Sequence, residues 1–289
     1  MTDIQAPPAP PVPPVTPATV PPTGGDRPPR RASARVIAIL TICAGAAVIV
    51  GAAAGAVVSG IRSAATGTDT LTADAAGIAA LDIDIDRADF EVVYDRVDQA
   101  ELTVVGAVGD WRMVRDDDEL SVHTDRSWFS GWFGGSGDRA VLTLPLSYAD
   151  RTVDASLALA GGALRTTGAF GELDVDLAAG AIDVSGTADE LDVDISAGRA
   201  AIDLADVAEG DVQVSAGELT GALTGTAPRA LTIDVSAGRL DLTLPDEPYT
   251  VTSDVSAGGF DNRLETSATS SSRIAVSVSA GQVTLRPAD

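Results

Sequence analysis

From Leu81 onward, apolar and polar residues alternate along the chain. Leu81-Asp82-Ile83-Asp84-Ile85-Asp86 carries an aliphatic side chain at every second position. That period of two predicts a strand with one buried face. Residues 90–94, 101–105, 119–122 and 141–145 read as further short strands, the last ended by its proline. A helix does not fit, because the apolar residues recur at i, i+2 and i+4 rather than at i+3 and i+4.

From about residue 153 the alternation becomes a repeat. A short strand is followed by a small-residue corner: LALAGG to Gly162, LDVDLAAG to Gly180, LDVDISAG to Gly198 and DVQVSAG to Gly217. It recurs as LTIDVSAG to Gly238, VTSDVSAG to Gly258 and IAVSVSAG to Gly281. With Gly161 as the first equivalent corner, the spacings are 19, 18, 19, 21, 20 and 23. A near-constant period of this length predicts an all-β, single-chain β-solenoid of about 20-residue coils. Each coil holds one strand such as 191–195, a Ser-Ala-Gly corner, a second strand such as 201–204 and a polar return loop. Leu191, Val193 and Ile195 point inward, Asp192 and Asp194 outward. The corner glycines Gly161, Gly180, Gly198, Gly217, Gly238, Gly258 and Gly281 are expected to take positive φ and to let neighbouring coils approach closely. A β-sandwich also accommodates short alternating strands, but it does not require identical corners at fixed spacing.

The LTLP motif occurs twice, at residues 142–145 and 242–245, each time ahead of a tyrosine and a strand. With the Ser-Ala-Gly corners, it resembles the DUF4097 family of adhesin-like bacterial domains. The resemblance covers about residues 80–287. It implies a β-solenoid surface domain and carries no catalytic residues.

Residues 36–61 read VIAILTICAGAAVIVGAAAGAVVSGI, uncharged between Arg35 and Arg62. A run of that length predicts one transmembrane α-helix, with the lipid bilayer as partner. Arg27, Arg30, Arg31 and Arg35 precede it and place the N-terminus in the cytoplasm and the C-terminal domain outside. A cleaved signal peptide is the alternative, disfavoured by the length of the run and of the leader. Gly51, Gly55 and Ser59 fall on one face of the span, a small-xxx-small arrangement that fits a homodimer through the helix; an Ala/Gly-rich span also produces it by chance. The Pro-rich residues 1–35 predict a disordered cytoplasmic tail, read either as a spacer or as a docking site. Residues 62–79 form a short stalk.

Charge narrows the partners. The chain carries −23, and all 19 basic residues are arginine. Residues 1–35 hold four Arg against two Asp, a net of +2, which leaves −25 for the rest. Such a surface repels phosphates, so no nucleic acid is expected. Cations, basic proteins or neutral glycans remain. Without lysine there is no phosphate-loop or Schiff-base lysine. His123 is the one histidine and is expected to face outward from the strand at 121–124, and Cys43 is the one cysteine, inside the apolar run. No enzyme, cofactor or metal site is expected, although a carboxylate pair acting on glycans is not readable from sequence. Asp174, Asp176, Asp192, Asp194, Asp234 and Asp254 recur at outward positions and would form ladders. Either salt and splayed side chains relieve the repulsion, or a cation such as Ca²⁺ bridges the carboxylates.

One segment breaks the pattern. Trp128, Phe129, Trp132 and Phe133 lie within six residues, in a glycine-rich loop. They either cap the open end of the solenoid or form an exposed patch for a partner. The expected role is a membrane-anchored, non-enzymatic binding or adhesin-like module with a protein or glycan ligand outside. The alternative is an envelope-stress sensor that couples the outer domain to a cytoplasmic partner.

Overall fold

The computed structural model describes residues 67–106, 111–124 and 138–288. The Pro-rich tail, the apolar run at 36–61 with Gly51, Gly55 and Ser59, and the loop holding Trp128, Phe129, Trp132 and Phe133 lie outside the described residues. Among the described residues, no helix is long and apolar enough to cross a membrane.

The described chain is all-β. In chain order its strands are β1 (Gly67–Ala73), β2 (Ala80–Ile85), β3 (Ala88–Asp95), β4 (Ala100–Gly106), β5 (Trp111–Asp116), β6 (Glu119–Thr124) and β7 (Asp138–Pro145). They continue as β8 (Thr152–Leu159), β9 (Gly162–Leu177), β10 (Ala181–Ile195), β11 (Arg199–Ala205), β12 (Glu209–Val214) and β13 (Glu218–Thr224). The last are β14 (Ala230–Val235), β15 (Arg239–Leu244), β16 (Thr250–Val255), β17 (Gly259–Asn262), β18 (Arg273–Val278) and β19 (Gln282–Pro287). Alternation selects the buried face as expected. Leu191, Val193 and Ile195 are buried, as are Ala200, Ile202 and Leu204 beyond the corner.

The strands form two parallel ladders joined by corners. The first runs β6, β2, β8, the second half of β9, the second half of β10, β12, β14, β18, β16. The second runs β7, β3, the first half of β9, the first half of β10, β11, β13, β15, β19, β17. That makes nine two-strand levels among the described residues.

Sequence neighbours are not always spatial neighbours. β2/β3 comes first in the chain, yet it lies inside β6/β7. At the other end, β18/β19 lies between β14/β15 and β16/β17. The chain skips one level after β15 and fills it last. β9 and β10 also run from the second ladder into the first without the expected polar return loop.

The corners depart from expectation in two ways. Gly180 stacks on Gly162, and Ala181 pairs with Ala163, so Gly162 rather than Gly161 is the first equivalent corner. Positive φ occurs at Gly162, Gly180 and Gly198, but not at Gly217, Gly238, Gly258 or Gly281. The shared requirement is close approach. A Cβ on Gly238 or Gly281 would sit 2.5 or 2.4 Å from the carbonyl oxygen of the corner glycine beside it. Hydrogen bonds continue through the corners, as from Ala237 N–H to Ser215 O (2.8 Å) and from Ala280 N–H to Ser236 O (2.7 Å).

The two ends are finished differently. At the first, β5 pairs antiparallel with β6, β4 with β7 and β1 with β4, which covers the edges of the outermost level. Trp111 on β5 stacks on Phe90 with ring centroids 6.0 Å apart and 12° between planes. These strands cover that end among the described residues. At the other end, Ser253 takes an inward position on β16, beside buried Val276 of β18, and β17 has only four residues. A polar, shortened last level lets an end face water.

Both LTLP motifs end a strand of the second ladder, β7 and β15, and both following tyrosines are buried. Tyr249 Oη donates to Pro245 O at 3.0 Å. Tyr148 Oη accepts from Ile78 N–H at 3.0 Å and donates to Ala75 O. Tyr148→Phe strands a buried donor and an acceptor, so it should cost about 1–3 kcal/mol of stability. Tyr249→Phe strands one carbonyl and should cost less. Paired urea unfolding curves check this; equal midpoints for the two variants would refute it.

Candidate functional site

Every second residue of a first-ladder strand faces outward, and parallel register places these residues in columns. Glu172 faces Glu190, which faces Glu209. Asp174 faces Asp192, which faces Asp211. Asp176 faces Asp194, and the column continues through Gln213 to Asp234. Neighbours in a column are separated by the strand spacing of about 4.8 Å. Like charges directly opposite each other destabilise a sheet.

Burial first, and neighbouring charge second, disfavours ionisation along these columns. Burial against the sheet pushes the Asp174 carboxyl up to about 6, helped by the charges of Glu172, Asp192 and Asp154. Burial raises Asp192 as well, with Asp211, Asp194 and Glu172 adding to it. Asp211 is raised by burial and then by Asp234, and Asp176 by burial and then by Asp194 and Asp84. Two reliefs are visible: Gln213 Nε2 donates to Asp194 Oδ2 at 3.3 Å, and Arg229 lies 3.2 Å from the Glu209 carboxylate. Asp192 and Asp211 keep contact with solvent and Asp174 is half-buried, so water and salt weaken the repulsion.

The second ladder handles charge the opposite way. Asp89 faces Arg139, Arg165 stands between Glu91 and Asp183, and Glu218 stands between Arg199 and Arg239. Arg199 Nε lies 3.5 Å from the Glu218 carboxylate. One chain therefore neutralises its columns on one face and concentrates a single sign on the other.

Register decides which expected residues meet. Asp174, Asp176, Asp192 and Asp194 come together as the repeat implies. Asp254 does not join Asp234, because Ser277 of the inserted β18 separates them. The glutamate column and Asp211 lie outside the Asp-x-Asp core that marks each strand in sequence. The signal was present as an acidic residue two positions before the first Asp of the pair, in GELDVD and DELDVD. Among the described residues, no three His, Cys, Asp or Glu side chains are grouped to hold one metal ion. His123 lies on the outward side of β6, with Asp84 and Arg112 as its ladder neighbours.

No family model matches this chain, and no curated protein matches it either. Solved structures of provisionally named adhesins are similar to it. One from Parabacteroides distasonis is 14% identical, with 77% of this chain and 97% of that one covered at a TM-score of 0.43. One from Bacteroides fragilis is also 14% identical, with 78% and 98% covered at 0.38. A provisionally named cell adhesion protein from Clostridium sporogenes is 8% identical, with 77% and 99% covered at 0.36. At these TM-scores the likeness assigns neither fold nor role.

Proposed function

We propose that residues 80–289 form a DUF4097-like β-solenoid, held outside the cytoplasm by a helix at 36–61, and that it works as a non-enzymatic binding module. Its binding surface is the acidic face of the first ladder. The occupant is an extended, positively charged polymer such as a basic segment of another surface protein. One observation supports this reading: the first ladder stacks like charges in register while the second ladder of the same chain alternates them. A face that only needed solvation could have alternated too. The repulsion it keeps is relieved by a polycation lying across several levels.

Binding of a labelled deca-arginine peptide to the full chain in neutral-lipid nanodiscs tests this. Tight binding at low salt should weaken steeply with added NaCl. The triple change Asp174→Asn, Asp192→Asn, Asp211→Asn should weaken it about tenfold or more, at roughly 0.5 kcal/mol per charge. Equal affinity for the variant and the native chain would reject the proposal.

A further inference from the structure

A concave feature borders the end of the glutamate column, where Arg229 pairs with Glu209. A cleft of about 670 Å³ opens where the loop at 225–229 meets the loops at 247–248 and 267–272. It arises from the level skip: the chain leaving β15 must pass the place that β18/β19 fills, and the serine-rich loop brings it back. That run, Ser267-Ala268-Thr269-Ser270-Ser271-Ser272, carries no alternation and no corner motif.

Hydroxyls dominate the lining, with Thr226 on one wall and Ser267, Thr269, Ser270 and Ser271 on the other. The scaffold that presents them is tied down. Ser270 Oγ donates to Pro248 O at 2.6 Å, and Thr250 Oγ1 donates to Ser267 O at 2.8 Å. Tyr249 and Thr266 form a backbone bridge at the root of the two loops. Thr226 is fixed through its N–H and its hydroxyl, both to Asp206 Oδ1, at 3.1 and 3.2 Å. Arg229, 3.2 Å from Glu209, and Glu247 complete the lining with one charge of each sign.

This chemistry selects a ligand class. The hydroxyls of Thr226, Ser267, Thr269 and Ser270 each hold an internal hydrogen bond and keep acceptor lone pairs toward the cleft, which matches a partner with closely spaced hydroxyl donors. Arg229 is already paired with Glu209, so the charge left over in the lining is the Glu247 carboxylate, which disfavours an anion. Its polar walls do not suit a hydrocarbon. Its volume lies in the range of small-ligand sites. We propose that the cleft binds a neutral oligosaccharide, with Arg229 and Glu247 bonding adjacent sugar hydroxyls. The cleft touches the acidic columns only through the Arg229–Glu209 pair, and none of Asp174, Asp192 and Asp211 lines it, so either proposal can fail alone.

Saturation-transfer NMR on the full chain in nanodiscs, with chitotetraose, cellotetraose, maltotetraose and mannotetraose as probes, tests this. At least one sugar should receive transfer. Ser271→Trp, which fills the cleft from an exposed position, should weaken binding about tenfold or more. Thr269→Ala should weaken it less and serves if the tryptophan variant misfolds. Asp174→Asn should leave sugar binding unchanged. Absence of transfer to all four sugars, or transfer that survives Ser271→Trp in a folded protein, would overturn the proposal.

Discussion

Gly186→Ala is expected to prevent stable folding of the described domain, at a cost of more than about 4 kcal/mol. Gly186 lies within β10, where the chain passes from the second ladder into the first without a loop. Its φ is +130°, a region that L side chains rarely adopt. A Cβ there would fall 1.8 Å from Gly168 O and 3.0 Å from Gly168 N. These are backbone atoms of the adjacent level, paired in register with Gly186, so they cannot swing away like a side-chain tip. Gly168 stands opposite Gly186 in the ladder, so the bend is made by two glycines in register. Gly161→Ala is the matched control. Its Cβ would meet nothing closer than Asp86 O at 3.5 Å, and its φ is unremarkable. That change should stay within about 0.5 kcal/mol of the native chain. Expression and urea unfolding of both variants check the pair, and a Gly186→Ala protein with a native midpoint would contradict the stacking.

The second large effect is a gain of stability on acidification. The Asp174 carboxyl ionises near pH 6 in the fold against an ordinary value of 3.8. Between those values the folded chain binds more protons than the unfolded one, so stability rises as pH falls. The contribution is complete below pH 3.8 and is lost as pH rises through 6. Asp192, Asp211 and Asp176 are raised in the same direction and steepen the trend. Asp174 is half-exposed, and with screening its share is about 1 kcal/mol. The melting temperature should therefore climb from pH 8 to pH 5, where many proteins are flat or losing stability. Asp174→Asn should raise the melting temperature at pH 8 and flatten the slope. Salt at about 0.5 M should flatten it as well. A melting temperature that holds constant or falls across this range would show that the columns are not strained.

Much of this was legible from local pattern. In LDVDISAG the period of two names the strand, the aliphatic positions name the core, and the small residues name the corner. Those are nearest-neighbour properties of the chain, set by side-chain alternation and by the space a Cβ needs. Three features were not legible because they depend on which level lies beside which. Gly161 and Gly162 are locally interchangeable, and only the stacking of Gly180 distinguishes them. Positive φ was assigned to every corner, whereas the later ones reach the same close contact without it. The units ending at Gly258 and Gly281 share a corner code, so nothing local says that the later one sits inside the earlier.

The acidic face shows the same division. Composition made the chain strongly acidic, and alternation sent the carboxylates outward. Whether an outward aspartate meets another aspartate or an arginine is a matter of register across about 20 residues, and the two ladders resolved it in opposite ways. The insertion of β18 likewise removed Asp254 from the column and opened the hydroxyl cleft. Local pattern sets the strands, their buried faces and the need for small corners, because each follows from residues within a few positions of one another. The order of the levels, and with it which charges and hydroxyls meet, emerges only on folding, because parallel pairing brings together residues that are distant along the chain.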